Sequence, residues 1–278
     1  MSARAMVFYP LAVLLAALLA LLAWRYADHR ADAAAWLRLA DLAQPNGATF
    51  DPAQLAGLPE PAHRYFTYTI APGTPIRTAV RIEMTGTLGL GTKDAPKYQP
   101  MNASQILSPP HGLVWKVRTG PLSGSDGALP DGSWTRFWLL NLIPVVRAHG
   151  PDHHRAAFGR VIAEAAFWSP TSLLPGEGVT WSEVDPDTAR ATVTLGAFSQ
   201  VVDITVDASG APKSVFIQRW SNENPERTFR EQPFGGTPSE FRDFGGYRLP
   251  TRVEGGNHFG TPAYFPFFKA RVTEIGAP

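Results

Sequence analysis

From residue 80 onward the chain alternates apolar and polar residues, a period of two that a β-strand with one buried and one wet face satisfies. Val80, Ile82, Met84, Gly86, Leu88 and Leu90 alternate with Arg81, Glu83, Thr85 and Thr87. The pattern returns at Leu113-x-Trp115-x-Val117, Trp134-x-Arg136-x-Trp138 and Ala189-x-Ala191-x-Val193-x-Leu195. It returns again at Val202-x-Ile204-x-Val206, Val215-x-Ile217 and Phe268-x-Ala270-x-Val272. Between these runs lie turn clusters: Pro130-Asp131-Gly132, Asp185-Pro186-Asp187, Ala208-Ser209-Gly210 and Gly245-Gly246. One stretch breaks the rhythm. Gly150-Pro151-Asp152 opens a helix over 152–168 whose apolar stripe is Phe158, Val161, Ile162 and Ala165, closed by Trp168-Ser169-Pro170. The order is short helices, about four or five strands, one helix and about six more strands, without the strand–helix alternation of a parallel sheet. A large antiparallel sheet must curl or be covered. The fold class is therefore α+β: a large curved antiparallel β-sheet, a half-barrel, with the 152–168 helix on its concave face.

An N-terminal transmembrane helix precedes that domain. Residues 6–24 read MVFYPLAVLLAALLALLAW without one charge, flanked by Arg4 and by Arg25 and Arg30. Crossing a bilayer core takes about 20 apolar residues at roughly 1.5 Å each, which this run just reaches. Tyr9 and Trp24 suit the two interfaces. A cleavable signal peptide competes, but the small-x-small triplet Ala31-Asp32-Ala33 is late and charged, so the pattern favours a retained anchor. Arginine counts on the two flanks nearly balance, leaning if anything towards a cytoplasmic domain, but large domains translocate largely regardless of them. The short tail before the run resembles a signal-anchor, which places the domain outside the cytoplasmic membrane. Residues 27–42 continue as a juxtamembrane helix with Trp36, Leu39 and Leu42, broken at Pro45-Asn46-Gly47. Asp51-Pro52 and Leu58-Pro59-Glu60-Pro61 restart short helices. The domain reading is 1–26 for the anchor, 27–57 for a helical linker and 58–278 for the β-rich domain.

Composition narrows the chemistry. The chain has 278 residues and no cysteine, which removes disulfides, thiolate metal sites and a cysteine nucleophile. With 25 Lys+Arg against 24 Asp+Glu, no field of one sign draws nucleic acid.

Catalytic constellations are thin. His149, His153 and His154 with Asp152 lack a dependable i,i+4 pair, so they read as a solvated helix start and no metal is assigned. Ser123 and Ser125 have no nucleophile elbow around them. Asp126 lacks the second acid a glycosidase needs. Arg160 and Glu164, four apart, read first as a surface ion pair. The sharper alternative sets them in a buried network with polar residues inside the cavity, such as Asp126 or Arg136. The aromatics outnumber a minimal core: Trp115, Trp134, Trp138, Trp168, Trp181 and Trp220, with Phe137, Phe216, Phe265, Phe267 and Phe268. Most serve as core. Trp134, Arg136 and Trp138 share one strand face, so a guanidinium sits between indoles, as suits either an amphipathic ligand or a stacked structural arginine.

The segment LPEPAHRYF at 58–66 resembles the opening of an uncharacterised family of bacterial membrane-anchored domains, a domain of unknown function. The resemblance continues through QILSPPHGLVW at 105–115, Ser123 to Asp126, Ile143 to Arg147, Gly159-Arg160 with Glu164, and Trp168-Ser169-Pro170 through Leu173-Leu174-Pro175. It ends with Arg219-Trp220 and Phe244-Gly245-Gly246-Tyr247 with Pro250. It spans nearly all of the chain after the anchor. The sequence departs where similar proteins often carry tryptophan, at Tyr98 and Asn257, so a pocket lined there differs in this member. The resemblance implies no activity. The strand–helix–strand order is also similar, by fold analogy alone, to that of the bacterial lipoprotein-sorting carriers, which cup acyl chains.

These readings converge on a membrane-tethered binder or carrier of an apolar ligand, a lipid or acyl chain, in the cell envelope, without a cofactor. The expected ligand-binding residues are Trp115, Asp126, Trp134, Arg136, Trp138, Arg160, Glu164, Arg219 and Trp220. The alternatives are an envelope hydrolase using Asp126, Glu164 and a histidine, and a structural module that binds a protein partner.

Overall fold

The computed structural model describes residues 3–42 and 47–278. The break expected at Pro45-Asn46-Gly47 lies, except for Gly47, outside them.

Helix α1 runs unbroken over Ala3–Asp41. Its character changes at Arg25. Before it, large apolar side chains face outward, with Leu14 67% and Leu19 57% exposed. From there, Arg25, Asp28, Asp32, Ala35 and Leu39 are buried. Spacings of three and four make them one helical stripe. The segment Phe8–Asp41 is long and apolar enough to cross a membrane. After Asp51 caps a short 3₁₀ turn at Pro52–Leu55, α2 covers Glu60–Thr69.

Six strands follow: β1 (Val80–Gly89), β2 (Tyr98–Ser108), β3 (Gly112–Thr119), β4 (Leu122–Leu129), β5 (Gly132–Leu139) and β6 (Ile143–Ala148). Helix α3 is Pro151–Trp168, and a 3₁₀ turn at Pro170–Leu173 leads on. Seven strands complete the chain: β7 (Val179–Asp185), β8 (Thr188–Leu195), β9 (Phe198–Val206), β10 (Pro212–Ser221), β11 (Arg230–Asp243), β12 (Arg248–Asn257) and β13 (Phe265–Gly276). All thirteen form one antiparallel sheet in the order β6-β5-β4-β3-β2-β1-β13-β12-β11-β10-β9-β8-β7. Strands consecutive in sequence pair throughout except β6 and β7, which α3 separates and which form the two edges, and β13 returns to pair with β1.

The sheet's two faces carry separate cores. Leu113, Trp115 and Val117 of β3 belong to the large core with α2 and α3, whereas Val114 joins Ile106 and Leu129 beneath Ala35 and Leu39 of α1. A period of two assigns alternate residues to opposite faces, and here both faces are covered. Helix α3 crosses the concave side, packing on strands from both arms. Gly159 permits the close approach: a Cβ there would lie 2.8 Å from Gln200 Oε1. Tyr65 Oη donates to Ala166 O at 2.9 Å, fastening α2 to α3. The Phe-Gly-Gly-Tyr segment is the β11–β12 turn, with Gly245 at φ 68° and Gly246 at φ 92°, and Tyr247 Oη donates to Pro75 O at 2.6 Å. Its role is architectural.

Candidate functional site

Between α3 and the concave face lies a cavity of about 470 Å³. That falls within the roughly 300–1,000 Å³ typical of small-molecule sites. Trp115, Phe137, Phe167, Trp168, Phe234, Phe267 and Phe268 supply most of its apolar wall, each from a different strand or from α3 except for the last pair. Trp115 meets Phe268 edge-on at 6.3 Å between ring centres, and Phe234 meets Phe267 at 6.4 Å.

One polar cluster interrupts this wall. Arg160 sends Nη1 to Asp126 Oδ2 at 2.9 Å and Nε to Glu164 Oε1 at 2.6 Å, and Gln105 Nε2 donates to Glu164 Oε2 at 2.5 Å. Arg160 and Glu164 are therefore not the surface pair that their spacing first suggests; they form the buried network, with Asp126 as the further member and Arg136 outside it. Burial alone would lower the pKa of Arg160, but Glu164 and Asp126 outweigh it and raise the value. The guanidinium also lies 5.2 Å from the Trp115 ring centre.

Arg219 has no carboxylate hydrogen-bonded to it among the described residues, although Asp126, Glu164 and Glu223 partly offset its burial. Its one hydrogen bond among the described residues runs from Nε to Ala156 O at 3.2 Å, and its guanidinium rests 4.7 Å from the Phe234 ring centre. Burial, reinforced by the like charge of Arg160, lowers its pKa to about 10. It remains cationic at neutral pH, in surroundings that favour an added anionic or dipolar partner. Trp115 Nε1 and Asp126 Oδ1 are buried without a hydrogen-bond partner among the described residues. A donor, an acceptor and a cation thus converge on an apolar chamber.

The remaining expected site residues lie elsewhere. Trp134, Arg136 and Trp138 do share a face of β5, but it is the face that α1 covers. Arg136 stacks 4.8 Å from the Trp134 ring centre and reaches Asp32 at 3.4 Å. Trp138 Nε1 donates to Asp28 Oδ2 at 3.0 Å, and Arg147 Nη2 reaches the same oxygen at 2.6 Å. Trp220 fastens the start of α3, donating from Nε1 to Asp152 Oδ1 at 2.8 Å beneath Arg155. Trp115, Asp126, Arg160, Glu164 and Arg219 line the cavity. Of the two departures from tryptophan, Asn257 lines it, and Tyr98 packs 6.1 Å from Phe265, which also does.

The sequence reading overlooked Asp28 and Asp32, whose signal was an acidic i,i+4 pair in line with Ala35 and Leu39 on an alanine-rich helix. It also passed over Phe167, Phe234 and Gln105 in the cavity. His153 is held by Ser133 Oγ at 2.7 Å and Thr135 Oγ1 at 3.0 Å, so both ring nitrogens are engaged. Burial lowers its pKa.

The solved structures that resemble this chain distantly include these two. One is a LolA superfamily protein from Nitrosomonas europaea, 8% identical, with 72% of this chain and 85% of that one covered at a TM-score of 0.38. The other is a putative outer membrane lipoprotein-sorting protein domain from Vibrio parahaemolyticus, 9% identical, with 71% and 84% covered at a TM-score of 0.37. No curated protein matches the chain. Residues 48–270 match the model of a family described as a family of unknown function, DUF6544, and the chain belongs to that family.

Proposed function

We propose that this protein is a membrane-tethered binder of an amphipathic ligand, a lipid or acyl chain, held in the cavity beneath α3. The observation that carries the reading is the pairing of an aromatic chamber of about 470 Å³ with Arg219, a half-buried guanidinium that no carboxylate in the described chain directly pairs. The apolar wall takes a hydrocarbon chain, and Arg219 with Trp115 Nε1 meets its polar end. In this reading α1 is a retained span, 1–26 the anchor, 27–57 the connection and 58–278 the binding domain, on the outer side of the cytoplasmic membrane.

The hydrolase alternative draws less support. Asp126 and Glu164 are clamped on one guanidinium, as counter-charges rather than as a proton donor and acceptor. His153 spends both nitrogens on Ser133 and Thr135. A module without a ligand predicts a filled core, which the chamber does not resemble.

The test is photocrosslinking with a diazirine-bearing fatty acid on the full chain in lipid nanodiscs. Adducts mapped by peptide mass spectrometry to Phe167, Trp168, Phe267 or Phe268 support the reading. Adducts confined to α1, as expected of mere contact with membrane lipid, overturn it.

A further inference from the structure

The turn between β5 and β6 is conformationally expensive, and its leucine side chain gets no packing inside the protein in return. Leu142 N donates to Leu139 O at 3.1 Å, and the two central residues have positive φ, Leu140 at 51° and Asn141 at 59°. This is the mirror-image hairpin turn that favours Asn and Gly. A leucine in that conformation is strained. Yet the Leu140 side chain is 70% exposed, with Ile143 and Val145 both 47% exposed beside it. An apolar residue forced into an unfavourable backbone and then left bare calls for an apolar partner outside the fold.

The position of the hairpin names that partner. Arg25 Nε donates to Asn141 Oδ1 at 2.8 Å, so the turn is bonded to the residue at which α1 leaves its exposed apolar run. Trp24 meets Trp138 edge-on at 5.7 Å, and the Arg147 guanidinium lies 4.6 Å from the Trp24 ring centre. Indoles and arginines are the residues that sit at the headgroup level of a membrane. Val146, 45% exposed, and Leu90, 46% exposed, also line the cavity, so the bare apolar surface continues from the hairpin to the chamber's rim.

We propose that the β5–β6 hairpin dips into the surface of the same bilayer that α1 crosses, and that the cavity rim at Val146 and Leu90 opens onto it. A ligand then exchanges between bilayer and chamber without passing through water. The proposal rests on α1 being a retained span.

The chain's lack of cysteine makes the test clean. Single variants Leu15→Cys, Leu140→Cys and Val184→Cys of the full chain carry a bimane label in phosphatidylcholine–phosphatidylglycerol vesicles, with and without doxyl-labelled phosphatidylcholine. Leu15 lies in the apolar run, and Val184 is an exposed residue of β7, the other edge strand. The expected result is at least twofold quenching by the lipid spin label at Leu15→Cys and Leu140→Cys and none at Val184→Cys. Quenching at Leu15→Cys alone overturns the hairpin contact and spares the span. No quenching at either overturns both. Protection of Leu140→Cys from aqueous iodide without lipid quenching assigns the hairpin to a second protein surface, and the proposal falls.

Discussion

Helices α1 and α3 lie on opposite faces of one sheet and are held by different physics. Helix α3 is buried along its length from Ala156 onward, with only Arg160, Glu164 and Ala157 partly open. Its attachment is apolar area on both arms, at about 25 cal/mol per Å² removed from water. Helix α1 buries one stripe, and carboxylates do the anchoring: Asp28 and Asp32 meet Arg136, Arg147 and the Trp138 indole. Apolar packing tolerates sliding and leaves room for a chamber. A carboxylate shared by an indole and two guanidinium groups fixes one register and one angle. The concave face leaves a chamber beneath its helix, whereas the convex face holds its helix in one place.

The contrast can be broken most sharply at Arg160. In Arg160→Ala two carboxylates stay within the cluster without their cation, and the loss is roughly 3–5 kcal/mol, read by urea denaturation of the solubilised chain. Asp28→Ala comes next, at roughly 2–3 kcal/mol for the stranded Arg147 and Trp138 partners. Hydrogen exchange should rise along the docked half of α1 and stay unchanged in α3. If α3 loosens instead, the two faces are not independent.

His153 adds a pH dependence on the concave side. Burial depresses its folded pKa below the ordinary imidazole value of about 6.5, so the unfolded chain binds the extra proton first. Stability is full above that value and falls as the pH drops through the folded pKa. His153→Gln flattens that slope in thermal melts taken across the same range. The smallest effect is expected at Arg38, whose pair with Asp131 is exposed on both sides. Arg38→Ala should shift the unfolding free energy by no more than about 0.5 kcal/mol, although it sits on the same helix as Asp28.

Most of the architecture was legible because alternation and turn chemistry are local. The 152–168 helix and the strands around Met84, Trp115, Ile204 and Ala270 stand where their patterns place them. Strands with less regular alternation, such as β4 and β11, were not distinguished, nor was the full count on each side of α3. The site was half legible. A period of two says that Trp134, Arg136 and Trp138 share a face, but not which of two covered faces it is. The stripe on α3 hid its own polar side: with both arms wrapping the helix, Arg160 and Glu164 are enclosed where a simpler fold would leave them wet. Asp28 and Asp32 act on partners more than a hundred positions away, a relation no local pattern carries.

The continuity of α1 has a mechanical consequence. Its 39 residues make a rod about 60 Å long at ~1.5 Å per residue. The part beyond Arg25 is bolted to the sheet, so no slack lies between the exposed apolar run and the domain. Such a protein has no tether on which to swing and no radius to search. With the apolar half in a membrane, as proposed, the height and tilt of the domain over the bilayer would be set by that one helix.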